Sequence, residues 1–100
     1  MADSANPSPT KPLQGIKVIE VGQLLAGPFA GTLLAYFGAE VIKVEPPGDG
    51  DPIRGWRLLD NQGTSYWWRS LGRNKASLTL NLRDQQGRAL LGKLLDDADV

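Results

Sequence analysis

The chain has no cysteine and no histidine among its 100 residues. Without them it offers no disulfide, no Cys/His zinc site, no cysteine nucleophile and no Ser-His-Asp triad. Net charge is also missing, since 11 basic residues stand against 11 acidic ones. A neutral chain has no bulk attraction to nucleic acid or to an acidic membrane surface, so neither is expected as a partner. No apolar run approaches the ~20 residues of a membrane span. The opening MADSANPSPTKP has no apolar h-region, so it is not a secretory signal. Its three prolines and small polar residues predict a disordered tail over residues 1–12. Missing cysteine is compatible with a cytoplasmic setting, which is the expectation here.

What the chain does have is a compact βαβ pattern. Residues 16–21 carry Val18, Ile19 and Val21 between Gly15 and Gly22, and residues 41–44 read VIKV. Between these strands Phe29, Leu33, Leu34, Tyr36 and Phe37 recur at helical spacing, opposite Ala30, Gly31 and Ala35. Pro28 suits the first helical turn, and Gly38 suits the left-handed position just past the helix end. Two β-branched runs joined by one helix predict an α/β fold with a parallel sheet covered by helices. The turn between Gly22 and Gly27 then lies at the carboxyl edge of the first strand, where open α/β sheets bind ligands.

A second unit follows. Leu78, Leu80 and Leu82 alternate with Thr79 and Asn81 as a strand would. Leu90, Leu91, Leu94, Leu95 and Ala98 form the stripe of an amphipathic helix beginning near Asp84. Val100 stands where the next strand should start, so the sequence is expected to be the front of a longer polypeptide. Between the units, PPGDGDP at 46–52 is a loop by composition. Asp49 and Asp51 read as turn formers there, without the later bidentate glutamate of a calcium loop, and no metal site is expected. Thr64 or Ser65 would cap a short helix ending at Gly72. Trp56, Trp67 and Trp68 offer either a stacking platform for a base or packing in a core or interface; packing is favoured.

Residues 61–83 contain no acidic residue but include Arg69, Arg73, Lys75 and Arg83. Such segregation suggests an anion site, because Arg and Lys make charge-assisted hydrogen bonds to phosphate. Arg83 stands where the third strand should end and a helix N-terminus follows, which favours an anion further. Gly22, Gly27 and Gly31 invite a dinucleotide reading, with Glu45 near the ribose-binding position about 20 residues on. The turn reads GQLLAGPFAG, however, which lacks the G-x-G-x-x-G pattern, and no G-K-[ST] occurs. A non-catalytic nucleotide-binding module, for NAD or another nucleotide, stays open as an alternative.

Several ordered stretches carry a resemblance. LAGPF at 25–29, GAEVIKVEPPGD at 38–49, RGW at 54–56, RNK at 73–75, LNLR at 80–83 and ADV at 98–100 resemble the N-terminal region of the class III CoA-transferases, the CaiB/BaiF family. The resemblance spans residues 13–100 and makes them the N-terminal part of a CoA-binding α/β domain. It implies a Rossmann-like parallel sheet with flanking helices, in a fold whose subunits interlock as a homodimer. It implies CoA transfer from an acyl-CoA such as succinyl-CoA to a carboxylic acid. An aspartate attacks the thioester carbonyl, giving a mixed anhydride and CoA thiolate; thiolate return makes an aspartyl-CoA thioester, from which the acceptor carboxylate takes the CoA. That aspartate lies beyond this span, so no catalytic residue is assigned here. No tightly bound cofactor is implied; the CoA thioester is substrate. Racemases and epimerases acting on α-methylacyl-CoA share the family and form an alternative. The matching residues make Leu25 and Ala26 candidates for the CoA channel, and Leu80, Asn81, Leu82 and Arg83 candidates for the adenosine 3′-phosphate end. Pro46 and Ala76 stand where many relatives have a basic residue, which shifts the cationic role towards Arg73, Lys75 and Arg83.

A parallel sheet needs the strand that would follow Val100. The isolated 100-residue chain is therefore expected to be poorly folded, with no cooperative melt by far- and near-UV circular dichroism; a sharp thermal transition would refute this.

Overall fold

The computed structural model describes residues 10–100, so the tail expected to be disordered lies outside the described residues apart from positions 10–12. The elements run β1 (Lys17–Glu20), α1 (Ala26–Tyr36), β2 (Glu40–Glu45), a 3-10 turn (Pro52–Gly55), α2 (Tyr66–Leu71), β3 (Lys75–Thr79) and α3 (Gln85–Asp96). The strands form one sheet in the order β1-β2-β3, and both pairings are parallel. The main chain at Val100 lies along the other edge of β1. Its N–H donates to Lys17 O at 3.2 Å and its carbonyl accepts from Ile19 N–H at 2.9 Å, a parallel pattern. The α/β class and the parallel sheet with flanking helices therefore stand as expected.

Because side chains alternate along a strand, the register sorts the sheet into two faces. Val18 pairs with Val41 and Glu20 with Lys43, while Ile19 pairs with Ile42. The first set faces α1, where Val18, Ala35, Ala39 and Val41 form the buried apolar core. On the opposite face Ile19, Ile42, Leu78 and Leu80 line an apolar cleft of about 330 Å³ with Leu90, Leu94 and Ala98 from α3 and the residues after it.

The sheet takes the small face of α1. Pro28, Gly31, Thr32 and Ala35 are buried, whereas Phe29, Leu33, Tyr36 and Phe37 of the aromatic and leucine stripe remain exposed. The cause lies under the helix: a Cβ on Gly31 would sit 1.9 Å from Glu20 Oε1. Only a helix face without bulk can lie over that carboxylate. The helix ends as its sequence predicts. Gly38 has φ +107°, its N–H donates to Ala35 O, and Ala39 N–H donates to Leu34 O, closing a Schellman cap.

Ser65 is the N-cap of α2, with its Oγ accepting from the Trp67 and Trp68 amides, and Gly72 follows the last turn. The third strand differs from the expected 78–82 span and occupies Lys75–Thr79. Pairing with Val41–Glu45 fixes it there. After Leu80 N–H donates to Glu45 O, the backbone turns: Asn81 Oδ1 accepts from Arg83 N–H and Asn81 O from Asp84 N–H. Asparagine's habit of bonding the backbone two residues on ends the strand that leucine alternation alone would have extended.

Gly31→Ala should lower stability by about 1–3 kcal/mol, the usual range for overpacking. A thermal or urea melt of the native protein checks this; an unchanged midpoint would show that the helix shifts freely off Glu20.

Candidate functional site

Beneath the first turn of α1 the buried sheet face is ionic. Lys43 Nζ lies 2.7 Å from Glu20 Oε2 and 2.6 Å from Asp51 Oδ2, and Lys75 Nζ lies 2.7 Å from Glu20 Oε1. All four side chains are at most 2% exposed. The charges alternate Asp51–Lys43–Glu20–Lys75 and cancel, which is the condition on which buried ions are tolerated. Removing one partner of such a set typically costs about 3–5 kcal/mol, because an uncompensated charge is left behind. Burial pushes the Lys75 ammonium below its ordinary pKa, against the pull of Glu20.

A second ion pair adjoins the first. Arg54 grips Glu45 with two hydrogen bonds, Nε to Oε1 and Nη2 to Oε2, both 2.7 Å. Glu45 also accepts from the Asp51 amide at 2.8 Å and from the Ser77 hydroxyl. The Arg54 guanidinium chiefly, with the Asp51 and Ser77 hydrogen bonds, holds the Glu45 carboxyl at about 2, against the opposing effect of burial. Both oxygens of Glu45 are thus occupied, and the ribose contact required by the NAD reading finds no free acceptor there.

The ionic chain grips the turn between β1 and α1. Asp51 Oδ1 accepts the Leu24 N–H at 2.9 Å and the Ile53 N–H at 3.0 Å. Lys43 donates to Gly22 O at 3.4 Å and Lys75 to Pro28 O at 2.8 Å. Leu24 has φ +69°, an uncommon conformation for a branched apolar residue. The turn closes on itself at its base: a Cβ on Gly27 would lie 2.8 Å from Gly22 Cα, and one on Gly22 would lie 3.0 Å from Gly27 Cα. Asp51, read as a turn former, is thus a fixed structural acceptor, while Asp49 is exposed.

The carboxyl ends of all three strands open onto one cleft of about 580 Å³. Val21 and Gln23 follow β1, Pro46 and Pro47 follow β2, and Leu80, Asn81, Leu82 and Arg83 follow β3. The structure therefore brings together four of the residues singled out from sequence. Leu25 and Ala26 start α1 at the same sheet edge and are exposed, but do not line this cleft. Arg73 and Lys75 are not with them. Arg73 lies before β3, at the opposite end of the strand, with its Nε bonded to Ser70 O. Lys75 spends its charge on Glu20, so counting cations along the sequence overstated the free charge near Arg83.

The tryptophans do not form a core. Trp67 is exposed, and Trp56 and Trp68 are half-buried. Trp56 and Trp67 lie 5.4 Å apart at a tilt, with Arg54 over Trp68 at 3.9 Å and Arg57 over Trp56 at 4.4 Å. Sequence reasoning also missed the ionic chain. Its signal was present, because Glu20, Lys43 and Glu45 interrupt strands whose parallel setting calls for continuous apolar runs.

Comparison with known proteins bears on the family and the fold. The profile of CoA-transferase family III matches residues 13–100. The chain is 52% identical over 92 residues to succinyl-CoA–D-citramalate CoA-transferase of Chloroflexus aurantiacus, covering 92% of this chain and 23% of that protein. It is 42% identical over 90 residues to succinyl-CoA:glutarate CoA-transferase of Homo sapiens, covering 90% of this chain and 20% of that protein. The crystal structure of a CaiB/BaiF family protein from Brucella suis superposes with a TM-score of 0.81 at 39% identity, over 91% of this chain and 25% of that one. The chain spans about a quarter or less of the length of these relatives.

The Glu45 carboxyl is ordinarily near 4.5 and lies near 2 when folded. A depressed carboxylate contributes stability above its unfolded pKa and loses it as pH falls towards the folded one. Stability should therefore fall between pH 4.5 and 2, with a Glu45 share of about 3 kcal/mol. Urea midpoints across that range check this, and Glu45→Gln, though less stable throughout, should flatten the slope.

Proposed function

We propose that this chain, which belongs to CoA-transferase family III, holds the nucleotide end of CoA in an enzyme that moves CoA from a succinyl-CoA-like thioester to a carboxylic acid. One observation carries the reading. The cleft at the carboxyl ends of three parallel strands is walled by Leu80, Asn81, Leu82 and Arg83, and Arg83 is exposed there. This is the edge at which open α/β sheets take nucleotides, and α3 begins directly after it. Relatives named as succinyl-CoA-dependent transferases support the donor class. The site in this span is therefore Leu80–Arg83, with Leu25 and Ala26 at the same edge for the rest of the CoA chain. Arg73 and Lys75, placed elsewhere, drop out of it.

The chemistry follows the sequence of exchanges that the family implies. A carboxylate oxygen bonds to the thioester carbonyl carbon and the C–S bond breaks, releasing CoA thiolate. The thiolate then attacks the enzyme's side of the anhydride, freeing the donor acid and leaving an enzyme thioester. The acceptor carboxylate repeats both steps in reverse order. Holding the nucleotide end firmly keeps the released thiolate beside the anhydride, so its return is effectively unimolecular. The acids exchanged and the nucleophile are set by residues outside this span. An interlocked homodimer completes the reading, and the exposed Phe29, Leu33 and Tyr36 on α1, with Phe37 at its C-cap, are apolar surface that such an assembly would cover.

Arg83→Ala in the native protein should raise the CoA dissociation constant about tenfold or more, the loss of one charge-assisted contact, while leaving 3′-dephospho-CoA nearly unaffected. Calorimetric titration with both ligands decides it. Equal losses would remove the 3′-phosphate from Arg83, and absence of CoA binding by the unmutated protein would overturn the function itself.

A further inference from the structure

We infer that Asp51 is a positioning residue for the CoA-binding edge: its carboxylate, which lines no cleft at that edge, sets the turn from which Leu25 and Ala26 enter α1. The inference rests on the proposed CoA site and adds to it a residue 27 positions along the chain from the amide it holds. Asp51 is fully buried, and it does two separable jobs. Oδ2 faces the Lys43 ammonium at 2.6 Å and balances its charge. Oδ1 is the backbone acceptor, taking the Leu24 N–H at 2.9 Å and the Ile53 N–H of its own loop at 3.0 Å.

The second job matters for function because Leu24 is left-handed, at φ +69°. An L-residue with a branched side chain leaves that region unless something holds it. No strand or helix provides this amide with a partner; a side chain from the loop after β2 does. Lys43 on Gly22 O and Lys75 on Pro28 O hold the two ends of the same turn. Asp51 holds its strained middle. Pinned at three points, the turn presents Leu25 and Ala26 in one arrangement before ligand arrives, and CoA binding escapes the cost of ordering it.

The test separates the two jobs in the native protein. Asp51→Ala and Asp51→Asn both weaken the balance of charge around Lys43, so both should lower the melting temperature. Asparagine keeps an acceptor for Leu24 N–H; alanine does not. Under conditions where each variant is folded, Asp51→Ala should raise the CoA dissociation constant about tenfold or more, and Asp51→Asn should recover most of that loss. Equal losses in the two variants, or wild-type affinity in the alanine variant, would overturn the inference. If the alanine variant does not fold, amide exchange in the unmutated protein decides instead. Leu24 N–H should exchange as slowly as the core amide of Val41, and exchange at the rate of an open loop would refute it. Failure of the unmutated protein to bind CoA would sink the functional reading alone, since the exchange of Leu24 is read without ligand.

Discussion

Four ionised side chains in series, Asp51, Lys43, Glu20 and Lys75, lie out of water beneath one helix. Their mutual neutralisation is the condition on which the surrounding backbone rests. Each ammonium in the chain touches both a carboxylate and a main-chain carbonyl, and Asp51 touches both an ammonium and two main-chain amides. Charge balance and loop geometry are thus one problem with one solution. A loop that moved away would strand a buried charge, and a charge removed would leave a loop without its anchor.

The same chain explains the division of the sheet. The face that carries Glu20 and Lys43 has no room over Glu20 even for a Cβ at Gly31, whereas Leu34 packs at its apolar part with Val18 and Val41. It accepts the small side of α1 and turns the larger residues outward. The opposite face has no such occupant, and the leucines of α3 meet Ile19, Ile42 and Leu78 across an apolar gap. One helix is therefore placed by what it lacks in bulk, while the other keeps its leucines partly exposed along the cleft, with only Gly87 buried.

Local chemistry was legible in the sequence and non-local chemistry was not. Gly38 and Ser65 end and begin helices through bonds to residues within a few positions, so their residue types suffice. The parallel order of β1 and β2 was legible as well, because a single helix joins two β-branched runs. The limits of β3 were not, since its ends are set by hydrogen bonds to β2 some thirty residues away, and Asn81 overrides the leucine alternation. Lys75 looked like a free cation because composition counts charges without their partners. Arg83 kept its place near the sheet edge although its strand had shifted, because the turn that replaced the strand end stays at the same edge.

The contact between Gly22 and Gly27 gives the turn a neck. Two bare Cα atoms face each other where the chain leaves β1 and where it enters α1, and either Cβ would force them apart. At the neck itself the approach is backbone against backbone. Residues inside the loop can change identity, and with it the surface shown to a ligand, while the loop's footprint on the sheet stays constant. Diversity of recognition and constancy of frame are thereby assigned to different positions of one six-residue segment, 22–27.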